Sequence, residues 1–246
     1  MKDSIRKTRT PNNSLNRKVN RMNDMNTMSK HFPRAVRLSW ETVEELLWKV
    51  ALDMKSDGYD PDVVIAVARG GLAPARILMD YLHKKYICTF QMGHWDSEVS
   101  LSEKPRIVFP LPDVDLTGKS VLVVDDVSDE GGTMEGVVSY LRPLVGEIRT
   151  VVLVSKADSR LKASYCPETM DDWGWVMFPW SRHEDLLSFT EKVLQLTGGA
   201  TVEDIIRILE EAMSVDIARH EIEKVLVDMQ QAREVKEDSH KVWILI

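Results

Sequence analysis

The chain has 246 residues, of which 43% are hydrophobic, and a formal net charge of −7, which suits one α/β domain with a small appendage. No apolar stretch approaches the roughly 20 residues that cross a bilayer, and the N-terminus lacks the apolar core of a signal peptide, so we expect a soluble, cytoplasmic protein without membrane contacts. The two cysteines, Cys88 and Cys166, are far apart and show no metal-ligand spacing, which argues against a disulfide or a zinc site.

The first 34 residues differ in charge from the rest of the chain. They hold nine Lys or Arg and two Asp (9 − 2 = +7), which leaves −14 for the remainder. The segment is rich in Asn and Ser and shows no apolar periodicity before Val36. We therefore expect residues 1–34 to be a disordered basic tail, either a flexible leader or a segment that touches nucleic acid.

The first regular elements are a helix and a buried strand. Ser39 and Thr42 are both suitable helix caps, and apolar residues then recur at helical spacing as far as Met54. Residues 63–68 form a continuous apolar run, which is typical of a strand buried in a parallel sheet. An Arg-Gly-Gly turn at residues 69–71 then leads into a second predicted helix at about residues 72–83.

The middle of the chain alternates predicted strands and helices. This order favours a doubly wound, mainly parallel α/β sheet, which we place within residues 35–197. Residues 92–118, rich in charges, Ser, Gly and Pro, are predicted to be an irregular insert with a short strand at residues 107–109. The remaining predicted strands cover residues 87–91, 121–125, 150–155 and 175–178, and a helix covers residues 133–141.

Residues 200–246 have a separate pattern. Thr201 caps a predicted amphipathic helix, and a second helical pattern covers residues 221–231. Residues 235–236 and 242–246 are suited to pair as a hairpin. Helix, helix, hairpin resembles a small winged-helix α+β module. Residues 201–246 carry six Lys or Arg and eleven Asp or Glu (6 − 11 = −5), so binding to nucleic acid is not expected.

The most informative segment is residues 121–133, with the sequence VLVVDDVSDEGGT. Four apolar residues form a strand, two adjacent carboxylates follow, and a Gly-Gly-Thr turn opens the next helix. Ligands of open α/β sheets bind at the carboxyl ends of strands, and a glycine-rich helix N-terminus offers free backbone N–H groups to a phosphate. The segment therefore predicts a phosphate site beside a site for a diol or a metal.

These thirteen residues resemble the signature with which type I phosphoribosyltransferases bind 5-phosphoribosyl 1-diphosphate (PRPP). The resemblance implies that Ala68, Arg69 and Gly70 hold the pyrophosphate, since the Ala-Arg-Gly-Gly-Leu run is similar to the Ser-Arg-Gly-Gly-Leu run of xanthine-guanine phosphoribosyltransferases. It also implies that Asp125 and Asp126 hold the ribose hydroxyls and help to place Mg²⁺, the expected cofactor.

The same resemblance assigns the 5′-phosphate to five consecutive residues. They are Asp129, Glu130, Gly131, Gly132 and Thr133. Asp129 would also act as the general base at N7 of a purine, with a helix-capping aspartate as the structural alternative. Glu130 departs from the family pattern, which has a threonine or a similarly small residue there. A carboxylate would repel the phosphate unless it faced solvent or a cation such as Arg160.

The resemblance places the base on later strands. Lys156 matches a lysine that contacts O6 in enzymes specific for 6-oxopurines. Residues 175–180 are similar to a Trp-Ile-Glu-Gln-Pro-Trp run, which puts Trp175 over the purine face and Val176 beside its edge. The alternative role of these residues is ordinary packing in the core. In related enzymes a mobile loop within the insert closes over the reaction centre.

The resemblance thus implies a purine-salvage enzyme that uses Mg-PRPP and guanine, xanthine or hypoxanthine, and that forms a homodimer. A different class of function stays open, namely a regulatory protein that senses PRPP or a nucleotide and uses its C-terminal module to bind DNA or protein. A third hypothesis is a transferase for another base, such as a pyrimidine.

Overall fold

A computed structural model describes residues 29–97, 100–172 and 174–246. The chain divides into two compact units, residues 36–182 and residues 183–246 together with 29–35. Within the described residues, no helix has the length and apolar content to cross a membrane. The elements of the first unit are β1 (Ala35–Arg37), α1 (Trp40–Ser56), β2 (Val63–Ala68), α2 (Leu72–Tyr81), β3 (Ile87–Ser97), β4 (Ser100–Phe109), β5 (Ser120–Ser128), α3 (Gly132–Leu141), β6 (Glu147–Lys156), β7 (Glu168–Met170) and β8 (Trp175–Met177).

The first unit is built on a six-stranded sheet with the order β4-β3-β2-β5-β6-β7. Strands β3, β2, β5, β6 and β7 are parallel, and β4 is antiparallel to β3 at one edge. The apolar runs predicted from the sequence lie at the centre, where Val63 of β2 is opposite Val121 of β5. The doubly wound, mainly parallel α/β fold predicted from the sequence is confirmed.

Alternate residues of the central strands face opposite sides of the sheet. Val64 and Ala66 of β2 pack in the core that also contains apolar residues of α1 and α2. Ile65 and Val67 pack on the other side, in the core that contains Met134 of α3. Because side chains alternate along a strand, both faces of a continuous apolar run are buried, as a parallel sheet covered by helices requires.

Helix α1 is capped at its N-terminus by one of the two residues predicted as candidate caps. The Ser39 hydroxyl accepts a hydrogen bond from the Thr42 N–H at 3.1 Å, so Ser39 is the N-cap and Thr42 lies inside the first turn. This bond satisfies a backbone donor that has no partner within the helix.

The prediction of an irregular insert at residues 92–118 is wrong over residues 92–97 and 100–106, while the short strand predicted at residues 107–109 is the end of β4. Strand β3 continues to Ser97, and β4 returns antiparallel to it, with Gln91 opposite Phe109 and register shifts along the pair. The sequence did not indicate this hairpin because its residues are largely charged or small, and a strand pair at the edge of a sheet needs no continuous apolar run.

Strand β8 also differs from its predicted place. Its residues were expected in the main sheet, yet β8 forms a separate two-stranded sheet with β1, and the Leu38 N–H donates to the Met177 carbonyl oxygen at 3.0 Å. The short strand β7, which no apolar run in the sequence indicated, takes the edge position beside β6.

The described residues of the second unit contain three α-helices and a hairpin, together with a short 3-10 helix. The Thr201 hydroxyl caps the middle helix as predicted, by accepting a hydrogen bond from the Asp204 N–H. The elements are α4 (Arg182–Thr197), α5 (Val202–Met213), α6 (Arg219–Gln231), β9 (Val235–Glu237) and β10 (Trp243–Leu245), with β9 and β10 antiparallel. From α5 to β10 this order matches the predicted one, whereas α4 was not predicted from the sequence. The winged-helix assignment and the domain limits 35–197 and 200–246 stay predictions.

Part of the predicted tail is ordered. Residues 29–31 form a 3-10 helix, and the Phe32 ring packs edge-on against Phe189, with 6.1 Å between ring centroids. This finding corrects the expectation of disorder for residues 29–34. The rest of that prediction, residues 1–28, lies outside the described residues.

Candidate active site

The chain reverses its direction of winding between β2 and β5. From β2 the chain passes through α2 to β3 on one side, and from β5 it passes through α3 to β6 on the other. Such a switch point leaves a crevice outside the carboxyl ends of the two central strands, which is where ligands of open α/β sheets bind. The segments predicted to hold PRPP follow or end these same strands.

The loop after β2 lies against the carboxylates of β5. A Cβ atom added to Gly70 would stand 2.4 Å from the Asp126 carboxylate oxygens, and one added to Gly71 would stand 2.2 Å from the Val124 carbonyl oxygen. Glycine is therefore required at both positions by close approach. The preceding Ala68–Arg69 peptide bond is cis, and Arg69 is exposed. The predicted pyrophosphate loop and the predicted ribose carboxylate are thus in direct contact.

Asp125 and Asp126 are partly buried and adjacent. The Asp126 N–H donates to Asp125 Oδ1 at 3.0 Å, and the Trp180 indole N–H donates to Asp126 Oδ2 at 3.1 Å. Burial raises the pKa of Asp125 well above its usual value, and the charge of Asp126 adds to this. Burial likewise raises the pKa of Asp126, although the hydrogen bond from Trp180 opposes the shift. Two desolvated carboxylates side by side favour a cation or hydroxyl donors between them.

The predicted phosphate loop ends in a helix N-terminus. Gly131 is the N-cap of α3 and has a φ of 85°, in the left-handed region that favours glycine. A Cβ atom there would lie 2.8 Å from the Leu161 backbone nitrogen. Because glycine has no side chain to cap the helix, the first N–H groups of α3 remain suited to an anion.

A second loop, after β6, supports this phosphate loop. The Arg160 N–H donates to the Glu130 carbonyl oxygen at 3.1 Å, and the hydroxyl oxygens of Ser128 and Ser159 are 2.7 Å apart. The contact between Glu130 and Arg160 is therefore made by their backbones, and the Glu130 side chain is exposed. Solvent exposure reduces the repulsion that its carboxylate exerts on a phosphate.

Lys156 and Asp129 form an ion pair across the site. The Lys156 side chain is 6% exposed, whereas that of Asp129 is 58% exposed. A buried ammonium group needs such a partner. The helix-capping alternative for Asp129 is not realised, because the N-cap of α3 is Gly131. The two residues predicted to contact O6 and N7 of a base are thus brought together.

The predicted base-stacking residue lies on the separate strand β8. Trp175, the first residue of β8, is 39% exposed, and Val176 is 9% exposed. Trp175 is therefore partly accessible to solvent, while Val176 contributes mainly to the core. Five residues after Trp175, the Trp180 indole N–H donates the hydrogen bond to Asp126 described above.

A family model described as a phosphoribosyl transferase domain matches residues 37–185. The chain belongs to this family. The match includes every residue proposed above for PRPP and for the base, and it ends just after the first unit.

Individual relatives agree with this family. A xanthine-guanine phosphoribosyltransferase from Cereibacter sphaeroides is 27% identical over 159 residues, which cover 60% of this chain and 87% of that protein. The crystal structure of a purine phosphoribosyltransferase from Pyrococcus horikoshii is 33% identical, covers 59% of this chain and 93% of its own, and superposes with a TM-score of 0.52. A xanthine-guanine-hypoxanthine phosphoribosyltransferase from Helicobacter pylori, 19% identical with a TM-score of 0.53 over 63% and 99% of the two chains, shares the fold.

Two contacts of this phosphoribosyl transferase domain were missed by reasoning from the sequence. The hydrogen bond from Trp180 to Asp126 joins residues 54 positions apart, and that between Ser128 and Ser159 joins residues 31 positions apart. Neither pair has a local spacing that would reveal it. The resemblance of the Pro179-Trp180 end to the family run was the only signal that pointed to Trp180.

Proposed function

We propose that the protein transfers the phosphoribosyl group of Mg-PRPP to a ring nitrogen of a 6-oxopurine, namely guanine, xanthine or hypoxanthine, and releases pyrophosphate. The observation that carries the proposal is the convergence of four features at one edge of the sheet. They are the Arg69-Gly70 turn, the Asp125–Asp126 pair, the N-terminus of α3 and the Lys156–Asp129 ion pair.

The three parts of PRPP match three of these features. The pyrophosphate is a multiply charged anion, and the turn after β2 offers backbone N–H groups and the Arg69 guanidinium to it. The ribose hydroxyls are donors, and the carboxylates of Asp125 and Asp126 are acceptors. The 5′-phosphate suits the N-terminus of α3, where Gly131 permits close approach of the backbone.

The carboxylates of Asp125 and Asp126 also fit Mg²⁺. Within the described part of the chain, no group of three or more His, Cys, Asp or Glu residues is arranged to hold a metal. Mg²⁺ commonly uses one or two protein carboxylates together with substrate phosphates and water, so two aspartates suffice if the ion arrives with PRPP. When bound, the ion would neutralise charge on the pyrophosphate leaving group.

The ion pair suits a 6-oxopurine. The Lys156 ammonium is a donor, so it can bind the O6 acceptor, while Asp129 can accept the proton of a ring nitrogen as the bond to the sugar forms. Adenine presents an amino donor at position 6, which would face the lysine donor unpaired. Stacking on Trp175 would add about 1 to 3 kcal/mol without selecting among bases.

A regulatory protein that binds DNA through its C-terminal module is the weaker alternative. Helix α6 would be the second helix of a winged-helix module, and its first residue, Arg219, forms ion pairs with Glu203 and Glu223. With a net charge of −5 over residues 201–246, this surface favours neither DNA nor RNA. The homodimer and the cytoplasmic location predicted from the sequence stay predictions.

The direct test is pyrophosphate release on incubation with Mg-PRPP and a panel of nucleobases. We expect turnover with one or more 6-oxopurines, and none with adenine, uracil or orotate. The Asp125→Asn/Asp126→Asn double mutant serves as the control for turnover at this site. Turnover only with a pyrimidine would establish the third hypothesis, and PRPP binding without turnover on any base would favour the sensor.

A further inference from the structure

We propose that Trp180 is a positioning residue for PRPP, because its indole N–H orients the Asp126 carboxylate at the switch point of the sheet. The proposal rests on the proposed function and concerns a residue beyond those assigned to PRPP or to the base. It assigns Trp180 a role through Asp126 rather than a contact with the base.

The first observation is the hydrogen bond itself. The indole has a single donor, and it is directed at Asp126 Oδ2 at 3.1 Å. On its other side the Asp126 carboxylate faces Gly70 so closely that no Cβ atom would fit between them. The carboxylate is therefore held between the β2 turn and the indole, and a rotation of its plane would cost one contact or the other.

The second observation is that aromatic packing fixes the indole. The Trp180 ring stacks on Phe178, with 4.8 Å between centroids and 11° between the ring planes. Trp40, at the start of α1, packs against it with 5.6 Å between centroids. Phe178 is only 2% exposed and belongs to the main core. The direction of the N–H is thus set by the fold, so the carboxylate is oriented before any ligand arrives.

A consequence for catalysis follows from the place of Trp180 in the chain. The segment of residues 175–180 begins with Trp175, the proposed base-stacking residue. Its last residue, Trp180, donates to Asp126, whose carboxylate is proposed to hold the ribose. Because the Asp126 carboxylate is already oriented, it loses less conformational freedom when the ribose hydroxyls bind. Loss of the N–H should therefore weaken PRPP binding and leave base binding nearly unchanged.

The test is Trp180→Phe, which keeps an aromatic ring on Phe178 and removes the donor. We expect the KM for PRPP to rise about tenfold, as for a hydrogen bond to a charged group, with less than a twofold change in the KM for the base. Trp48→Phe is the matched control, because Trp48 lies on the same helix as Trp40, is 47% exposed and contacts Tyr81. Its kinetic constants should equal those of the wild type.

A spectroscopic readout keeps the test decisive if Trp180→Phe is poorly folded. In ¹⁵N-labelled wild-type protein, the Trp180 indole resonance, assigned through its contacts with the Phe178 and Trp40 rings, should shift in Asp126→Asn and on addition of Mg-PRPP. An unchanged KM for PRPP, equal rises in both KM values, or an indole resonance insensitive to Asp126→Asn would each overturn the proposal for Trp180. Absence of PRPP binding by the wild-type protein would instead overturn the proposed function, and the role of Trp180 with it.

Discussion

Lys156, with 6% of its side chain exposed, is paired with Asp129, whose side chain is 58% exposed. One partner is thus fixed by burial, while the other faces solvent at the loop before α3. Under the proposed function, a base that entered from the solvent side would meet a donor and an acceptor beside each other. This pair is the part of the proposed site in which specificity for the base can be tested most directly.

Lys156→Met should lower kcat/KM for 6-oxopurines roughly 10- to 100-fold, which corresponds to the loss of a hydrogen bond with a charged partner. Methionine keeps an apolar stem of similar length, so the core should tolerate it. The KM for PRPP should change little, and discrimination against adenine should weaken. Steady-state kinetics with each base measures this, with the exposed Lys162→Met as control. An unaltered preference among bases would remove Lys156 from base recognition.

Asp125→Asn combined with Asp126→Asn should abolish measurable Mg-PRPP binding in calorimetric titration. The change weakens the hydroxyl acceptors and removes the charge that a metal needs. An unchanged affinity in a folded double mutant would contradict the central assignment.

The same double mutant should be more stable than the wild type at neutral pH without ligand. Both aspartates have raised pKa values in the folded protein, chiefly through burial. A carboxyl group whose pKa is raised by folding contributes stability that is fully present below its unfolded pKa and is lost as pH rises through its folded pKa, so the two aspartates lower stability at pH 7 relative to acidic pH. Thermal unfolding at pH 7 should show a higher Tm for the double mutant, with the difference shrinking toward pH 4.

Trp175→Ala should raise the KM for the base more than the KM for PRPP. Loss of about 1 to 3 kcal/mol of stacking corresponds to roughly a 5- to 150-fold weakening. Trp48→Ala removes an exposed tryptophan elsewhere on the same unit and provides the control. Equal increases in both KM values would show that Trp175 only supports the fold.

Glu130→Thr should tighten PRPP binding, most clearly at low salt. Two unit charges at about 4 Å in an effective dielectric near 20 repel by roughly 4 kcal/mol, and solvent around the exposed Glu130 side chain lowers that bound. Even a quarter of it corresponds to a several-fold lower KM for PRPP. Kinetics at two ionic strengths provides the measurement.

If Glu130→Thr binds PRPP no better, the carboxylate points away from the phosphate. The assignment of the 5′-phosphate to Gly131, Gly132 and Thr133 would then need revision. Glu130→Gln, which keeps the length of the side chain, separates an effect of charge from an effect of size.

Local sequence determined the core of the fold and the position of the chemistry. Continuous apolar runs such as residues 63–68 form strands only when both faces are covered, so they predict a buried parallel sheet. Carboxylates and glycines that follow such runs lie at the carboxyl edge of the sheet by the same geometry. For these reasons the strand of Asp125 and Asp126, the turn at Gly70 and the start of α3 were predictable without coordinates.

Only the tertiary structure decided how these parts meet. The contact of Gly70 with Asp126, the pairing of Lys156 with Asp129 and the hydrogen bond from Trp180 each join segments that are distant in the chain. Such contacts depend on strand order and on the packing of whole elements, which local periodicity does not encode. The β3–β4 hairpin and the departure of β8 from the main sheet escaped prediction for the same reason, because strand partners are chosen by long-range packing rather than by the strand's own residues.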